Sequence, residues 1–424
     1  MPTSLDQWKP QLGDAPELRI GIVMPEDGRA SVTISDLGTG LSVEGLRAGR
    51  GFHWEKTITL RLPGVLEVRP VGDRLMVACR LPVEEYLVGV ISSEMSGECP
   101  LEFLKAQCVV ARSWTLANTE RKHADLGIDY CNDDCCQRYQ GLDGATDAAR
   151  RAVSETSGEV LIAPGGELKV VDANYSKSCG GIAEDPHHVW PDIPKPGLSP
   201  LVDAPPSSPI HAMYPLEESR LSEFLTGRWL ERCDAYCCDR VVPPGAIGRY
   251  LGRVDVADGL FRWKVSHGRT PLESLLEKKV FQRLNVPDAD RPARLDRLRV
   301  TRCGVSGRAT QVVFDYLDRS GRSRSFTLDD QYWIRHALHE SFLYSSAFLV
   351  EETRRGDGAL EQVTLVGAGW GHGAGFCQIG GLGMALQGIG YRDILAHYFP
   401  TASLRKVHSR VRATVVARKR GQEP

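Results

Sequence analysis

Residues 91–114 read ISSEMSGECPLEFLKAQCVVARSW, and the part from Pro100 onward decides how the middle of the chain folds. Pro100 suits a first helical position, where its missing N–H costs nothing, and the run to about His123 predicts one long helix. Leu101, Phe103, Leu104, Ala106, Cys108, Val109, Val110, Ala111 and Trp114 leave it almost no polar face, the mark of a buried helix. Set into that surface are Lys105 and Arg112, seven residues apart. At about 100° per residue they lie within about 20° of one face, with Gln107 nearby. A buried cation is costly unless it is paired or used. The pair can therefore be structural salt bridges at a domain interface, or a polar strip lining a cleft, with Glu94 of the preceding loop as its carboxylate. Glu94 is flanked by Ile91, Met95 and a small-residue turn, a setting that can raise a carboxyl pKa for acid catalysis.

On the N-terminal side, Leu18 to about Val83 breaks into short β runs: RIGIV, SVTISD, LSVEG, KTITLRL, VLEVRPV and RLMVACRL. Gly, Pro and Asp punctuate them at strand-like spacing, so 1–81 is expected to be a β-rich unit, with a helical stretch from Val83 to Val90. On the C-terminal side, strands are expected at Glu159–Ala163 and Leu168–Tyr175. Nine prolines between Pro186 and Pro215 exclude regular structure there. Residues 216–290 read as mainly helical, best at Ser222–Cys233 and Pro271–Lys279. From Arg297 to Val350 the β signals return, with one helix around Tyr332–Ser341. A glycine-rich segment, Gly367 to Gly390, precedes a helix Tyr391–Tyr398 stopped by Pro400. No internal repeat is evident, and the fold class is α+β, mixed β-sheets with packed helices.

The bulk numbers narrow the function classes. With 52 Lys plus Arg against 54 Asp plus Glu, the net charge is −2, too small a field to hold a nucleic-acid backbone or an anionic membrane. No stretch approaches the ~18 consecutive apolar residues of a spanning helix. Met1 to Val23 mixes Asp6, Lys9, Asp14 and Glu17 with Pro and Gly, so it lacks the apolar core of a signal peptide. The chain is expected to be cytosolic, or to lack the start of its precursor.

Residues 367–388, GAGWGHGAGFCQIGGLGMALQG, carry five alternating glycines from Gly367 to Gly375. There is no G-K-[ST], so a phosphate loop is excluded. Gly369, Gly371 and Ala374 satisfy a loose dinucleotide pattern, but no βαβ unit follows. What remains is backbone lying close to another strand or to an extended polymer ligand. Trp370 offers a face for a sugar ring and His372 a polar or proton-transferring group; the plainer alternative is a tight bend with a packed Trp.

The twelve cysteines are clustered, as in Cys131/Cys135/Cys136 and Cys233/Cys237/Cys238. Such spacing suits metal ligation or reduced thiols better than a disulfide framework. In DYCNDDCCQRYQG, residues 129–141, Cys131-x3-Cys135-Cys136 offers two or three zinc ligands, with a fourth from elsewhere. Cys237 and Cys238 read as buried thiols, and His336 and His339 as surface or core histidines without a third ligand.

Together these stretches resemble the SpoIID/LytB family, the stage II sporulation protein D and amidase-enhancer group that acts on bacterial cell wall. The resemblance rests on Ser93-Glu94-Met95, Leu104-Lys105-Ala106-Gln107, Ala111-Arg112-Ser113-Trp114, the cysteine element before Gln137, Tyr175 and Ser176 followed by Cys179-Gly180-Gly181, and Gly369 through Gln378. Cys135 stands where family members usually have His, which makes any metal site richer in thiolate.

The resemblance implies a SpoIID-like domain over 82–405 with a proline-rich excursion at 184–215 and a tail at 406–424. It implies a lytic transglycosylase that cleaves the MurNAc–GlcNAc bond of peptidoglycan and leaves a 1,6-anhydro end. Glu94 would be the sole acid/base, oriented with the glycan by Lys105 and Arg112. Gln107, Tyr175, Trp370, His372 and Gln378 would bind substrate. A structural zinc would be held by Cys131 and Cys136 with Cys135 or Cys179. The glycine segment and the Lys105/Arg112 helix are expected to form two walls of one groove. The alternative within the family is a non-catalytic enhancer that binds wall and stimulates an amidase. The family implies the cell envelope or periplasm, with peptidoglycan strands and a cell-wall amidase as partners, and neither nucleic acid nor a membrane span.

Overall fold

A computed structural model describes Leu5 and residues 15–36, 38, 40–50, 55–117, 119–165, 168–252 and 259–407. The chain is α+β and divides into two compact units, one of residues 1–50, 54–172 and 403–424, the other of 51–53 and 173–402. The division differs from the sequence expectation. It runs through the expected 82–405 domain after Asp172, and it joins the β-rich start to the helices that follow. The expected tail lies outside the described residues beyond Val407.

In the first unit, β1 (Glu17–Val23) pairs antiparallel with a later strand of the same sheet, and β2 (Ile34–Asp36), β3 (Leu41–Ala48) and β4 (Lys56–Leu62) form a second antiparallel sheet. β5 (Val65–Val71) and β6 (Arg74–Pro82) follow, and β6 is the strand that lies between β5 and β1. Pro82 leads directly into α1 (Val83–Glu94), whose first turn carries Glu84 and Glu85, the sign favoured at a helix N-terminus. α2 (Leu101–Ala117) buries Phe103, Leu104, Ala106 and nearly every residue to Leu116, as its all-round apolar surface requires. It ends well before His123. Residues 119–126 are mostly polar, and a 3-10 turn at Ala124–Leu126 closes on Gly127 in the left-handed region, φ 63°. That turn leads the chain into β7 (Tyr130–Cys131), which pairs parallel with β1. α3 (Asp147–Glu155) is capped by Thr146, whose Oγ1 accepts the Ala149 N–H. β8 (Glu159–Ile162) pairs antiparallel with Ser403–Lys406, so the end of the described chain returns to this unit.

The second unit opens with the short pieces β9 (Tyr175–Ser176), β10 (Ile182–Ala183) and β11 (Leu201–Val202). β11 lies inside the proline-rich stretch, which also holds short helical turns at Pro186–Val189 and Pro209–Met213, so the expectation of no regular structure there is corrected. Each turn opens on its proline at the first helical position, where the missing N–H costs nothing. The expected strand Leu168–Tyr175 reduces to a single bridge at Val170 and to β9. α4 (Glu218–Thr226) leads to β12 (Arg262–Gly268), a strand inside a region that reads as helical. β12 was hidden by the surrounding helix signals, although Trp263 and Val265 alternate toward the core. α5 (Arg269–Leu276) precedes β13 (Pro292–Cys303), β14 (Ala309–Asp318) and β15 (Ser323–Leu328), an antiparallel sheet. α6 (Gln331–Ala337) then leads to β16 (Phe348–Arg354) and β17 (Leu360–Ala368), which complete the sheet β12–β17–β16. The core of this unit packs Trp263, Leu272, Leu276, Leu295, Phe314 and Phe348 together. β18 (Phe376–Cys377) pairs parallel with β9, and α7 (Gln378–Leu386) and α8 (Tyr391–Tyr398) follow. Among the described residues no helix is long and apolar enough to cross a membrane.

Candidate functional site

Glu94 is the last residue of α1 rather than a loop residue, and it is 8% exposed. The end of α1 is fastened to the loop after β7. Glu94 Oε1 accepts the Arg138 N–H at 3.1 Å. Ser93 Oγ accepts the Gln140 N–H at 3.0 Å and donates to Gly89 O at 2.6 Å. Gly89 makes the approach possible, since a Cβ there would sit 2.3 Å from the Tyr139 ring. The same loop grips α2 through Gln137, whose Oε1 accepts from Thr115 Oγ1 at 3.0 Å. Asp133 fixes the loop to the end of β3, accepting the N–H groups of Gly49 and Arg50 at 2.9 and 2.8 Å. The Arg138 guanidinium holds Asp134 at 2.9 Å. Burial pushes the Asp134 carboxyl up, Arg138 opposes the shift, and Glu94 adds to it. Asp134 is thus a second carboxylate beside Glu94. The sequence reading passed over it because Asp133-Asp134 reads as an ordinary polar turn.

Lys105 and Arg112 both take up ion pairs, the structural alternative raised by their pattern. Lys105 Nζ lies 2.9 Å from Glu102 and 2.7 Å from Glu155. Arg112 is fully buried and bidentate to Glu84, Nε to Oε1 at 3.0 Å and Nη2 to Oε2 at 2.7 Å. Its Nη1 donates to Glu159 O at 3.1 Å, and the Gly158 N–H reaches Glu84 at 3.2 Å. This network ties α1, α2 and β8 together. A fully buried guanidinium does not line a cleft, so the expectation that Arg112 orients glycan is corrected to a structural role. Gln107 is likewise fully buried on α2.

The cysteine loop gathers a donor set. His123, Cys131, Cys135 and Cys136 bring one ring nitrogen and three sulfurs within 4.8 Å of one another. Cys131 and Cys135 sulfurs are 2.9 Å apart, and Cys135 Sγ is 3.7 Å from His123 Nε2. The three thiols share their protons unequally. Hydrogen bonds from Cys131 and Cys136, with His123 alongside, draw Cys135 far below the ordinary thiol range, while Cys131 is pushed up to about 12. The sequence reading missed His123 because it placed this residue at the end of the long helix. Cys179 is not part of the group; it belongs to the second unit, with Asp203, Cys237 and Cys377.

Tyr175, Trp370, His372 and Gln378 all lie in the second unit. Here the alternating glycines meet protein. Trp370 N donates to Ser178 O at 2.8 Å, and Ser178 N returns to Trp370 O at 3.0 Å. Gly371 (φ 99°) and Gly373 (φ 76°) occupy the left-handed side, and a Cβ would lie 2.8 Å from Ser176 Cβ and 2.0 Å from the Arg308 guanidinium, respectively. The close neighbour is therefore the chain itself, as the tight-bend alternative requires. Trp370 stacks on Tyr344 with ring centroids 4.6 Å apart. His372 is a neutral crosspiece. Its Nδ1 accepts the Ala374 N–H at 3.1 Å, so its Nε2–H donates to Tyr175 O at 3.0 Å. Burial, with Arg335 adding, pushes its pKa down to about 3, which keeps the ring neutral at pH 7. Gln378 opens α7 and is buried. Gly373→Val should cost roughly 2–4 kcal/mol through strain and overpacking against Arg308, read as a lower urea midpoint. An unchanged midpoint would return the segment to a ligand-facing role.

Residues 72–162 match the family model described as stage II sporulation protein, SpoIID. Residues 251–375 match a domain of unknown function, DUF8618, which takes in Trp370 and His372. The family match is thus shorter than the 82–405 span that the motif order suggests. An uncharacterized protein of Brachyspira hyodysenteriae is 23% identical over 380 residues, 89% of this chain and 80% of its own length. The amidase enhancer of Bacillus subtilis is 35% identical over 104 residues, 24% of this chain and 13% of the enhancer. The likeness to the SpoIID family is thus carried by residues 72–162, the segment that holds Glu94, His123 and the three clustered cysteines.

Proposed function

We propose that this protein cleaves peptidoglycan glycan strands as a lytic transglycosylase, with Glu94 as its single acid/base. The observation that carries the reading is a buried carboxylate in the SpoIID segment, hydrogen-bonded by the loop that also bears the metal-ligand set. Glu94 first gives its proton to the bridging oxygen as the MurNAc C1–O bond breaks. Its carboxylate then takes the proton of the muramic acid C6 hydroxyl, whose oxygen closes on C1. One carboxyl group suffices because no water enters, whereas ordinary glycosidases use two.

A zinc ion suits the His123, Cys131, Cys135 and Cys136 donors, three sulfurs and an imidazole nitrogen. When bound it would neutralise the thiolates and hold the loop that fastens Glu94. Cys131→Ser should then lower bound metal by about one equivalent per chain and lower the thermal midpoint. Unchanged metal content in the purified variant would remove the assignment.

A second reading is favoured by the name of the Bacillus subtilis relative: binding to wall and stimulation of an N-acetylmuramoyl-L-alanine amidase without cleavage. Digestion of peptide-stripped strands separates the two. Lytic activity gives anhydro-muramyl products by mass spectrometry. Strand binding and amidase stimulation without such products would sink the catalytic reading and leave the enhancer.

A further inference from the structure

The second unit carries another donor set, outside the SpoIID segment and independent of the proposed activity. We infer that Cys179, Cys237, Cys377 and Asp203 bind a second, structural zinc ion. The four residues come from four separate places: the turn after β9, the turn after β11, the loop between α4 and β12, and the N-cap of α7. All four are buried, and their ligand atoms lie within 4.8 Å of one another. Cys179 and Cys237 sulfurs are 3.7 Å apart. Two sulfurs sharing a tetrahedral zinc, with Zn–S about 2.3 Å, stand about 3.8 Å apart.

The surroundings are those of a metal centre. Asp203 Oδ1 accepts from Tyr398 Oη at 2.6 Å and lies 3.4 Å from His397 Nε2, while Oδ2 faces Cys179 Sγ at 3.1 Å. One oxygen is thus oriented by outer partners and the other turned to the thiols, as in ligating carboxylates. Cys377 Sγ accepts two backbone N–H groups, from Cys179 at 3.2 Å and Gly380 at 3.3 Å. Gly380 weakens its helix, yet a Cβ there would fall 2.3 Å from Asp203 Oδ2 and 2.2 Å from Tyr398 Oη. Its absence makes room for the carboxylate.

Charge points the same way. Arg308 is fully buried and Arg262 half-buried beside the group, and both interact electrostatically with Cys237, Arg262 also with Cys233 and Asp239. Arg308 also faces Glu184, but its hydrogens go to Ser306 Oγ and to the carbonyls of Cys179 and Ile182. Those of Arg262 go to the carbonyls of Gly180, Phe261 and Phe224. Three thiolates and a carboxylate around Zn²⁺ leave a net negative centre, countercharge that adds to Glu184 beside Arg308 and Asp239 beside Arg262. Binding releases the three thiol protons to solvent and changes no oxidation state. Cys233 and Cys238 stand apart, with Cys238 Sγ directed at Cys233 O at 3.3 Å.

The test is the zinc content of the full chain, purified under reducing conditions from zinc-supplemented medium. Cys237→Ser should hold one zinc fewer than the unmodified protein, and Cys131→Ser should not affect that difference. Equal zinc in the unmodified protein and Cys237→Ser overturns the proposal, as does recovery of Cys179 and Cys237 as one disulfide-linked peptide. If Cys237→Ser fails to fold, the unmodified chain decides: Cys237 and Cys377 should react with maleimide after chelator treatment and be protected again by added Zn²⁺. Equal labelling with and without zinc rejects the site.

Discussion

Glu94→Gln should reduce anhydro-muramyl product from peptide-stripped strands by at least about 10²-fold, the scale of a lost general acid. Gln keeps the shape and an oxygen that can accept the Arg138 N–H, so the end of α1 stays fastened to its loop. What it removes is the transferable proton, on which both steps of a one-carboxyl mechanism depend. The fold should survive, and the thermal midpoint should move little. Asp134 supplies the control, because it is the neighbouring carboxyl group and is already held by Arg138. Asp134→Asn should retain most of the product. If Glu94→Gln keeps wild-type product formation while Asp134→Asn loses it, the acid/base has been assigned to the wrong carboxylate.

Motif spacing located the parts of the site that are local in the chain and missed those made by tertiary contact. The burial of α2 followed from its apolar periphery, and the last helix, Tyr391–Tyr398, from its bounding Gly390 and Pro400. Cys131, Cys135 and Cys136 stood out because ligands four and five residues apart fall within one short loop. His123 did not, since its approach depends on α2 ending at Ala117 and on the turn at Gly127. The partner of Arg112 was equally hidden. Glu84 lies 28 residues earlier, on a different helix, and only packing brings the two together. Cys179 was assigned to the wrong cluster for the same reason, because Asp203, Cys237 and Cys377 are distant in sequence. Alternating glycines signalled a close approach without saying to what, and the neighbour turned out to be the chain's own residues around Ser176 and Arg308.

Glu84→Ala should destabilise the protein by about 3–5 kcal/mol, the cost of leaving a buried charge without its partner. Arg112 is 0% exposed. Without Glu84 its remaining contacts are the Glu159 carbonyl, Thr156 and Cys108, none of which carries a full negative charge at neutral pH. Arg112→Met should cost a similar amount, because Glu84 would keep only the Gly158 N–H among these partners. The double variant Glu84→Leu/Arg112→Met is the informative one. Replacing both members of a buried pair by apolar groups of similar volume is often neutral, so much of the lost stability should return, read as the urea midpoint of the full chain. Activity then separates structure from chemistry. If Arg112 serves only to join α1, α2 and β8, glycan cleavage returns together with the midpoint. A double variant that regains its stability and remains inactive would put the guanidinium back into the catalytic machinery.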